Sequence, residues 1–107
     1  MFRFSTAEVS GNSMSPTYSA GDWLVIRYLS GKEHTLKIGA VYLVEDPIRP
    51  GIQLIKRLKQ SRKEHGVTRY WVEGDNLNST DSRKWGWVEQ DRFIAKVLFR
   101  YKTGISE

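Results

Sequence analysis

A β-strand pattern runs through the segment Ile52-Gln53-Leu54-Ile55-Lys56-Arg57-Leu58-Lys59. Successive side chains of a strand point to opposite faces, so Lys56 would share a face with the apolar Leu54 and Leu58. There the lysine would either be buried, with its pKa lowered by desolvation, or pack its stem on the core and keep its ammonium in water. On the strand pattern alone the second arrangement is the commoner one, and both stay open.

Four other segments are rich in Val, Ile, Tyr, Trp and Phe and are separated by Gly, Pro, Asp and Asn: 22–29, 39–45, 67–73 and 93–101. In the last, alternate residues from Phe93 to Tyr101 are apolar, which predicts a strand with one better buried face. No long helical pattern competes, and a short helix or turn is expected after Ser13. The sequence predicts an all-β fold, a small coiled antiparallel sheet or partly closed barrel.

The composition limits the class of protein. A chain of 107 residues makes one domain, here residues 1–107. It has no cysteine, which excludes disulfides and thiolate chemistry. No apolar run matches a membrane span and no secretory signal is evident, so we expect a soluble, cytoplasmic protein. The net charge is +5, and much of the excess lies in residues 56–65, which we interpret as a solvated hairpin end rather than a nucleic-acid patch.

A candidate nucleophile lies near the start of the chain, in Val9-Ser10-Gly11-Asn12-Ser13-Met14-Ser15-Pro16-Thr17. A serine hydroxyl needs a neighbouring base, and a neutral, desolvated lysine can be that base. Lowering a lysine pKa from about 10.4 to about 7.5 requires roughly 4 kcal/mol, which burial can supply. Ser13 and Lys56 are therefore the candidate catalytic pair.

A third motif is the long loop Gly74-Asp75-Asn76-Leu77-Asn78-Ser79-Thr80-Asp81-Ser82-Arg83-Lys84-Trp85-Gly86. Together with Ser13-Met14-x-Pro16-Thr17 and Lys56-Arg57, it resembles the type I signal peptidase family of serine endopeptidases, the S26 group. The three blocks occur in the family's order over nearly the whole chain. The resemblance implies the coiled β-fold of the signal peptidase and LexA catalytic cores.

The resemblance also implies roles for individual residues. Ser13 would be the nucleophile and Lys56 the general base that later protonates the leaving amine. Ser79 would hydrogen-bond the Lys56 amine and orient it, while Asp81 and Arg83 would form an ion pair beneath the site. Without the family, Asp81 and Arg83 would be a surface pair of little energetic value.

One departure concerns the oxyanion. Many bacterial signal peptidases have a serine two positions before the nucleophile, and this chain has Gly11, as the LexA-like S24 relatives do. We therefore expect the backbone N–H groups of Ser13 and Asn12 to form the oxyanion hole. The substrate-binding residues implied are the neighbours Val9, Ser10, Gly11 and Met14, with substrate pairing as a strand beside residues 8–10 and residues 41–44 flanking it as an edge strand.

A second departure is that only twelve residues precede Ser13, whereas signal peptidases are tethered by N-terminal membrane spans. Either an anchor has been removed or the chain belongs to a soluble branch, and we expect the second. The chain is similar to a soluble branch that processes the N-terminal extension of nickel-type superoxide dismutase. The expected function is removal of a leader or propeptide from a protein or peptide substrate with small residues before the cleavage site. Neither a cofactor, a metal nor nucleic acid is expected, and peripheral contact with a membrane surface stays open, as does the oligomeric state.

Two alternatives belong to other classes. One is the self-cleaving regulator core of the LexA type, although the chain has room for neither an upstream DNA-binding domain nor a cleavable segment. The other is a basic, non-enzymatic binding module on the same fold. His34 and His65 lie in polar segments without metal-ligand spacing, which argues against a Ser/His/Asp triad or a zinc site. The four tryptophans are interpreted as core and rim aromatics.

Overall fold

The structure is a computed structural model that describes residues 2–30 and 35–104. Its strands are β1 (Phe4–Glu8), β2 (Trp23–Tyr28), β3 (Val41–Glu45), β4 (Gln53–Glu64), β5 (Val67–Glu73), β6 (Val88–Glu89) and β7 (Phe93–Lys102). One helical turn, α1 (Ser82–Trp85), precedes β6, and a 3₁₀ turn (Gln90–Arg92) precedes β7. The all-β prediction is confirmed.

The strands form a single antiparallel sheet in the order β1-β2-β7-β3-β4-β5-β6. Its end strands, β1 and β6, do not pair with each other, so the sheet is not closed into a barrel, and of the two predicted forms the antiparallel sheet is the one observed. Register shifts in the pairings of β2 with β7, β3 with β7 and β4 with β5 mark bulges. Bulges increase local twist, which coils the sheet.

The sheet buries two apolar clusters. One is built around Leu24, Ile26, Leu43 and Val97, and the other around Tyr42, Leu58, Val72 and Phe93. In the second cluster the Tyr42 and Tyr70 rings both meet the Phe93 ring edge-on, at centroid distances of 5.4 and 5.3 Å. A 107-residue chain thus covers both sides of its central strands.

The predicted alternation of β7 holds over its first half only. Phe93, Ala95 and Val97 are buried, whereas Phe99 and Tyr101 are about half exposed. The apolar pattern continues to Tyr101, but no layer covers the end of the strand. Alternation predicts which side chains share a face; it does not predict where coverage of that face stops.

Three elements differ from the sequence prediction. β1 forms in a segment for which no strand was predicted, because it pairs with β2 from Phe4↔Arg27 to Glu8↔Trp23. β4 continues through the basic run to Glu64, and the turn at His65 and Gly66 connects it to β5. The loop after Gly74 contains α1 and β6. Of the short helix or turn expected after Ser13, the turn forms, and in it Tyr18 N–H donates to the Met14 carbonyl (3.0 Å).

Candidate active site

Lys56 is buried in the middle of β4, with 1% of its surface exposed. It lies opposite Tyr42 of β3 and on the same face as the fully buried Leu58. The alternative in which its head extends into water is therefore wrong. Burial lowers the pKa of Lys56 and the Arg83 charge acts in the same direction, whereas Asp81 and Asp46 partly oppose the shift.

Ser13 lies in the loop that connects β1 to β2. Two backbone hydrogen bonds close the base of this loop, from Val9 N–H to the Asp22 carbonyl and from Gly21 N–H to the Val9 carbonyl (both 2.8 Å). Met14, 1% exposed, anchors the loop in the first apolar cluster and leaves Ser13 half-buried. The fold therefore places the serine at the boundary between core and solvent.

The backbone around Ser13 has N–H groups with no internal acceptor. Among residues 2–30 and 35–104, no hydrogen bond is found from the N–H of Asn12 or of Ser13. Gly11 has φ +83, a conformation that favours glycine, and the space on its Cβ side is open. The loop thus presents free donors beside the serine hydroxyl.

Asp81 organises the long loop from within. Its carboxylate, 0% exposed, accepts hydrogen bonds from the Ser79 hydroxyl, from Gly74 N–H (2.8 Å) and from the Arg83 guanidinium (2.9 and 2.6 Å). It also caps α1 by accepting from Arg83 N–H (3.0 Å). Burial alone would raise the pKa of Asp81, but these bonds outweigh burial and hold the pKa far below its ordinary value. Asp81 and Arg83 therefore do not form the exposed surface pair that would be expected without the family resemblance.

This loop is bonded directly to the Ser13 loop. Asn76 N–H donates to the Ser13 carbonyl (2.9 Å), and the Asn76 side-chain amide donates to the Asn12 carbonyl (3.0 Å). Gly74 lies so close that a Cβ there would collide with Ser79 Oγ and the Ser13 carbonyl oxygen. Ser13 and Ser79 are therefore neighbours, and both Asp81 and Arg83 act on the Lys56 pKa.

The expected hydrogen bond between Ser79 and Lys56 is not formed in the described parts of the chain, nor is one between Ser13 and Lys56. The Ser79 hydroxyl donates to Asp81 and accepts from the Arg83 guanidinium (3.2 Å). A hydroxyl has one proton and two lone pairs, so one acceptor position on Ser79 remains.

A second ion pair was missed by sequence reasoning. The Arg57 guanidinium donates to both carboxylate oxygens of Asp75 (2.9 and 2.8 Å), and the Thr17 hydroxyl donates to the same carboxylate (2.6 Å). These bonds hold the pKa of Asp75 below its ordinary value, the Arg57 bond being the largest cause. Thr17, Arg57 and Asp75 all belong to the motifs quoted above, but the sequence does not indicate that their side chains bond to one another.

An open cleft of about 220 Å³ lies beside Ser13. It is lined by β1 and the residues after it, including Val9, Ser10 and Met14, and by residues 53–55 at the start of β4. Gly11 is not among the lining residues. Ile55 and Leu43 form part of the apolar floor. Of the four expected substrate-binding residues, three therefore face one cleft with Ser13.

The cleft is bordered by unpaired strand edges. β1 pairs only with β2, and the pairing of β4 with β5 begins at Arg57, so both β1 and the start of β4 have a free edge in the sheet. β3 pairs with β4 on one side and β7 on the other. The prediction that residues 41–44 flank a substrate as an edge strand is therefore wrong.

The remaining candidates are not part of this site. His65 is exposed at the β4–β5 turn with φ 51, and His34 lies outside the described residues. Within the described ranges, no group of three or more His, Asp or Glu residues could hold a metal ion. A larger opening of about 450 Å³ lies elsewhere, beside β6, and shares no residue with the cleft. We choose the smaller opening as the candidate active site because Ser13 lines it and Lys56 lies on the strand that borders it.

Comparison with known proteins shows the family to which this chain belongs. The family model described as signal peptidase, peptidase S26, matches residues 1–59 and 60–102. A relative is the mitochondrial ATP-independent inner membrane protease subunit 1a of Arabidopsis thaliana, 32% identical over 116 residues that cover 90% of this chain and 69% of the relative. The chain belongs to the S26 signal peptidase family.

Family membership makes this protein a serine peptidase of the signal peptidase type, which acts on protein substrates. Within the described ranges no helix is both long and apolar enough to span a membrane.

Proposed function

We propose that this protein is a serine endopeptidase that uses Ser13 as nucleophile and Lys56 as general base. The observation that carries the proposal is the buried Lys56, whose lowered pKa favours the neutral amine. It occupies the strand whose start borders the cleft of Ser13. The pairing Tyr42↔Lys56 gives β4 a defined register, so the amine has a defined place on its strand.

The proposed reaction uses Ser13, Lys56 and the backbone N–H groups of Ser13 and Asn12. Neutral Lys56 accepts the proton of Ser13 as Oγ attacks the substrate carbonyl, and the N–H groups of Ser13 and Asn12 stabilise the oxyanion. The C–N bond then breaks, and the Lys56 ammonium gives its proton to the leaving amine. Water hydrolyses the resulting ester by the same route, which returns Ser13 and Lys56 to their starting protonation states.

Ser79, Asp81 and Arg83 position the base. The Ser79 hydroxyl donates its hydrogen bond to the Asp81 carboxylate, so the open lone pair of Ser79 can accept a hydrogen bond from the Lys56 amine. Arg83 stabilises the Asp81 carboxylate and bonds the Gly74 carbonyl (3.2 Å), which holds the loop closed. Asn76 links this loop to the Ser13 loop through two hydrogen bonds, and it thereby holds the two loops together.

The substrate binds as an extended segment between the free edges of β1 and the start of β4. Backbone hydrogen bonds to these edges would give affinity that does not depend on sequence. Val9, Ser10 and Met14 line the pocket for the side chain before the cut, and Gly11 lets the substrate backbone approach closely. A cleft of about 220 Å³ shared by several substrate residues favours small side chains there.

The substrate is an N-terminal leader or propeptide of another protein. The resemblance of the motifs selects the precursor of nickel-type superoxide dismutase for the first test, together with a peptide library that has small residues before the cut. We expect one cut after a small residue, mapped by mass spectrometry, and no cut by the Ser13→Ala variant. Cleavage by Ser13→Ala, or no cleavage of library or precursor by wild-type protein, would contradict the proposal.

The same samples test the two alternatives. A discrete internal cut in the protein itself after prolonged incubation at alkaline pH, absent from Ser13→Ala, would indicate a self-cleaving regulator. Binding to mixed-sequence DNA that weakens steeply with salt, without peptidase activity, would indicate a non-enzymatic binding module.

A further inference from the structure

The opening of about 450 Å³ beside β6 is a groove with an apolar wall. Ile48, Trp85 and Trp87 form this wall, and we call the opening the β6 groove. Ile48 is 72% exposed, although Asp46 holds its backbone by accepting from Ile48 N–H (2.8 Å). A large apolar side chain fixed in water at the rim of a groove is a feature of interaction sites.

The tryptophans of this wall are held in place from behind. Trp85 packs on the second apolar cluster, and the Trp87 ring meets Trp71 edge-on at a centroid distance of 5.3 Å. The Arg62 guanidinium lies over the Trp87 ring, 5.8 Å from its centroid. Little side-chain entropy would therefore be lost when a partner binds this wall.

Besides its apolar wall, the β6 groove has a positively charged lining. Three cations line it, Arg69, Lys84 and Arg92, against one carboxylate, Glu89. Arg92 has an ion pair with Glu45 outside the groove (3.5 Å), and Arg69 reaches Glu89 only at 4.0 Å. Among the described residues no carboxylate pairs with the Lys84 ammonium. The groove therefore carries a local excess of positive charge.

We propose that the β6 groove binds an extended acidic segment of a partner protein, with one apolar side chain of that segment against Ile48, Trp85 and Trp87. A concave site with converging cations fits a peptide better than a flat lipid surface. Nucleic acid fits less well, because three cations are few for a phosphate backbone.

The β6 groove lies directly behind the proposed catalytic support. Lys84 and Trp85 follow Arg83 within α1, so consecutive residues of one helical turn contribute to the groove and to the Asp81 cluster. The groove nevertheless shares no residue with the cleft of Ser13. Binding in the groove can therefore be tested without peptide cleavage.

The test uses the Ser13→Ala protein and a short fluorescein-labelled peptide of Asp and Glu with one central leucine, followed by fluorescence anisotropy. Reversing two groove charges, in Arg69→Glu with Lys84→Glu, should weaken binding by about tenfold or more. The matched control reverses two exposed charges elsewhere, in Lys37→Glu with Lys102→Glu, and should change the affinity by less than about twofold. Circular dichroism checks that both variants fold.

A second measurement needs no variant of the protein. Replacing the peptide's leucine by serine should weaken binding, because the apolar wall then has no partner. Equal losses in both charge-reversal variants, equal affinity for the leucine and serine peptides, or tighter binding to anionic vesicles or to DNA than to the peptide would each overturn the proposal.

Discussion

At the scale of the residue, the burial of Lys56 lowers the stability of the fold and also lowers the pKa of its amine. An ammonium at 1% exposure loses most of its hydration, and the charges of Asp81 and Asp46 only partly compensate for this loss. The lowered pKa of Lys56 favours the neutral amine, which is the form a general base must have. The same burial therefore weakens the fold and prepares the side chain for the proposed reaction.

The stability cost predicts the behaviour of Lys56→Met, which keeps the stem and removes the amine. The folded pKa of Lys56 lies below its unfolded value of about 10.4, so between these two pKa values the unfolded chain binds the extra proton and stability rises with pH. We expect Lys56→Met to be more stable than wild type near pH 7 and the difference to shrink toward about pH 10. Urea unfolding at both pH values measures this, and a constant difference would contradict it.

The pH dependence of kcat/KM tests the same group in the free enzyme. The rate should rise through an apparent pKa below that of a free lysine. Leu54→Ser, on the same face of β4, should move this limb to higher pH because it eases hydration of the ammonium. Asp81→Asn should move it to lower pH because it removes an anion that stabilises the ammonium. If the apparent pKa of the rising limb is the same in both variants as in wild type, a group other than Lys56 is titrating.

At the scale of the element, the segment from Gly74 to Trp85 is held by side chains rather than by regular structure. α1 has four residues, far too few to be stable by helix propensity. Asp81 caps it, and the buried Ser82 hydroxyl accepts a hydrogen bond from Val72 N–H of β5 (2.9 Å). The loop is thereby attached to the sheet on one side and to the Ser13 loop on the other.

Gly74 is the point where these attachments meet, and Gly74→Ala tests its role. The added Cβ would collide with Ser79 and with the Ser13 backbone, so we expect a loss of about 1–3 kcal/mol in stability and a marked fall in kcat. Gly66→Ala, which strains the distant β4–β5 turn, is the control and should lower stability while leaving kcat unchanged. Equal kcat values in Gly74→Ala and wild type would contradict this role.

The strands could be predicted because their signals are local. Runs rich in Val, Ile, Tyr, Trp and Phe between turn residues identified β2, β3, β4, β5 and β7, and the inward phase of Lys56 followed from the period of two along β4. β1 was missed since Phe4-Ser-Thr-Ala-Glu8 has little apolar character and depends on β2 for its hydrogen bonds. The bond from Ser79 to Asp81 could not be predicted either, because it depends on a close approach at Gly74 that no local pattern shows.

At the scale of the whole molecule, the coiling of the sheet assembles the cleft. β1 and β4 are separated by β2, β7 and β3 in the sheet, yet residues of both line the cavity of Ser13. Sequence patterns indicate faces of strands but not how far a sheet curls, so neither the open edge of the sheet nor the cleft between these strands was predictable. Residues 6–10, 13–14 and 53–55, from segments far apart in sequence, meet there.

Several buried carboxylates link the stability of the whole molecule to pH. The pKa values of Asp22, Asp46, Asp75 and Asp81 are all lowered. A carboxyl with a lowered folded-state pKa stabilises the fold above its unfolded pKa, about 3.9, and loses that contribution as pH falls through the folded value. We expect the urea midpoint to be steady near pH 6 and to fall below about pH 4. A midpoint unchanged down to about pH 2.5 would contradict these assignments.

The central claim is that Ser13 and Lys56 act as one unit, and kcat/KM for a cleaved peptide tests it most directly. Ser13→Ala and Lys56→Ala should each lower kcat/KM by about 10³-fold or more, and the double variant should be no less active than the weaker single variant. Lys63→Ala, at an exposed position of the same strand, serves as the control and should match wild type. Losses that multiply in the double variant, or activity retained by Lys56→Ala, would show that the lysine is not the base that serves Ser13.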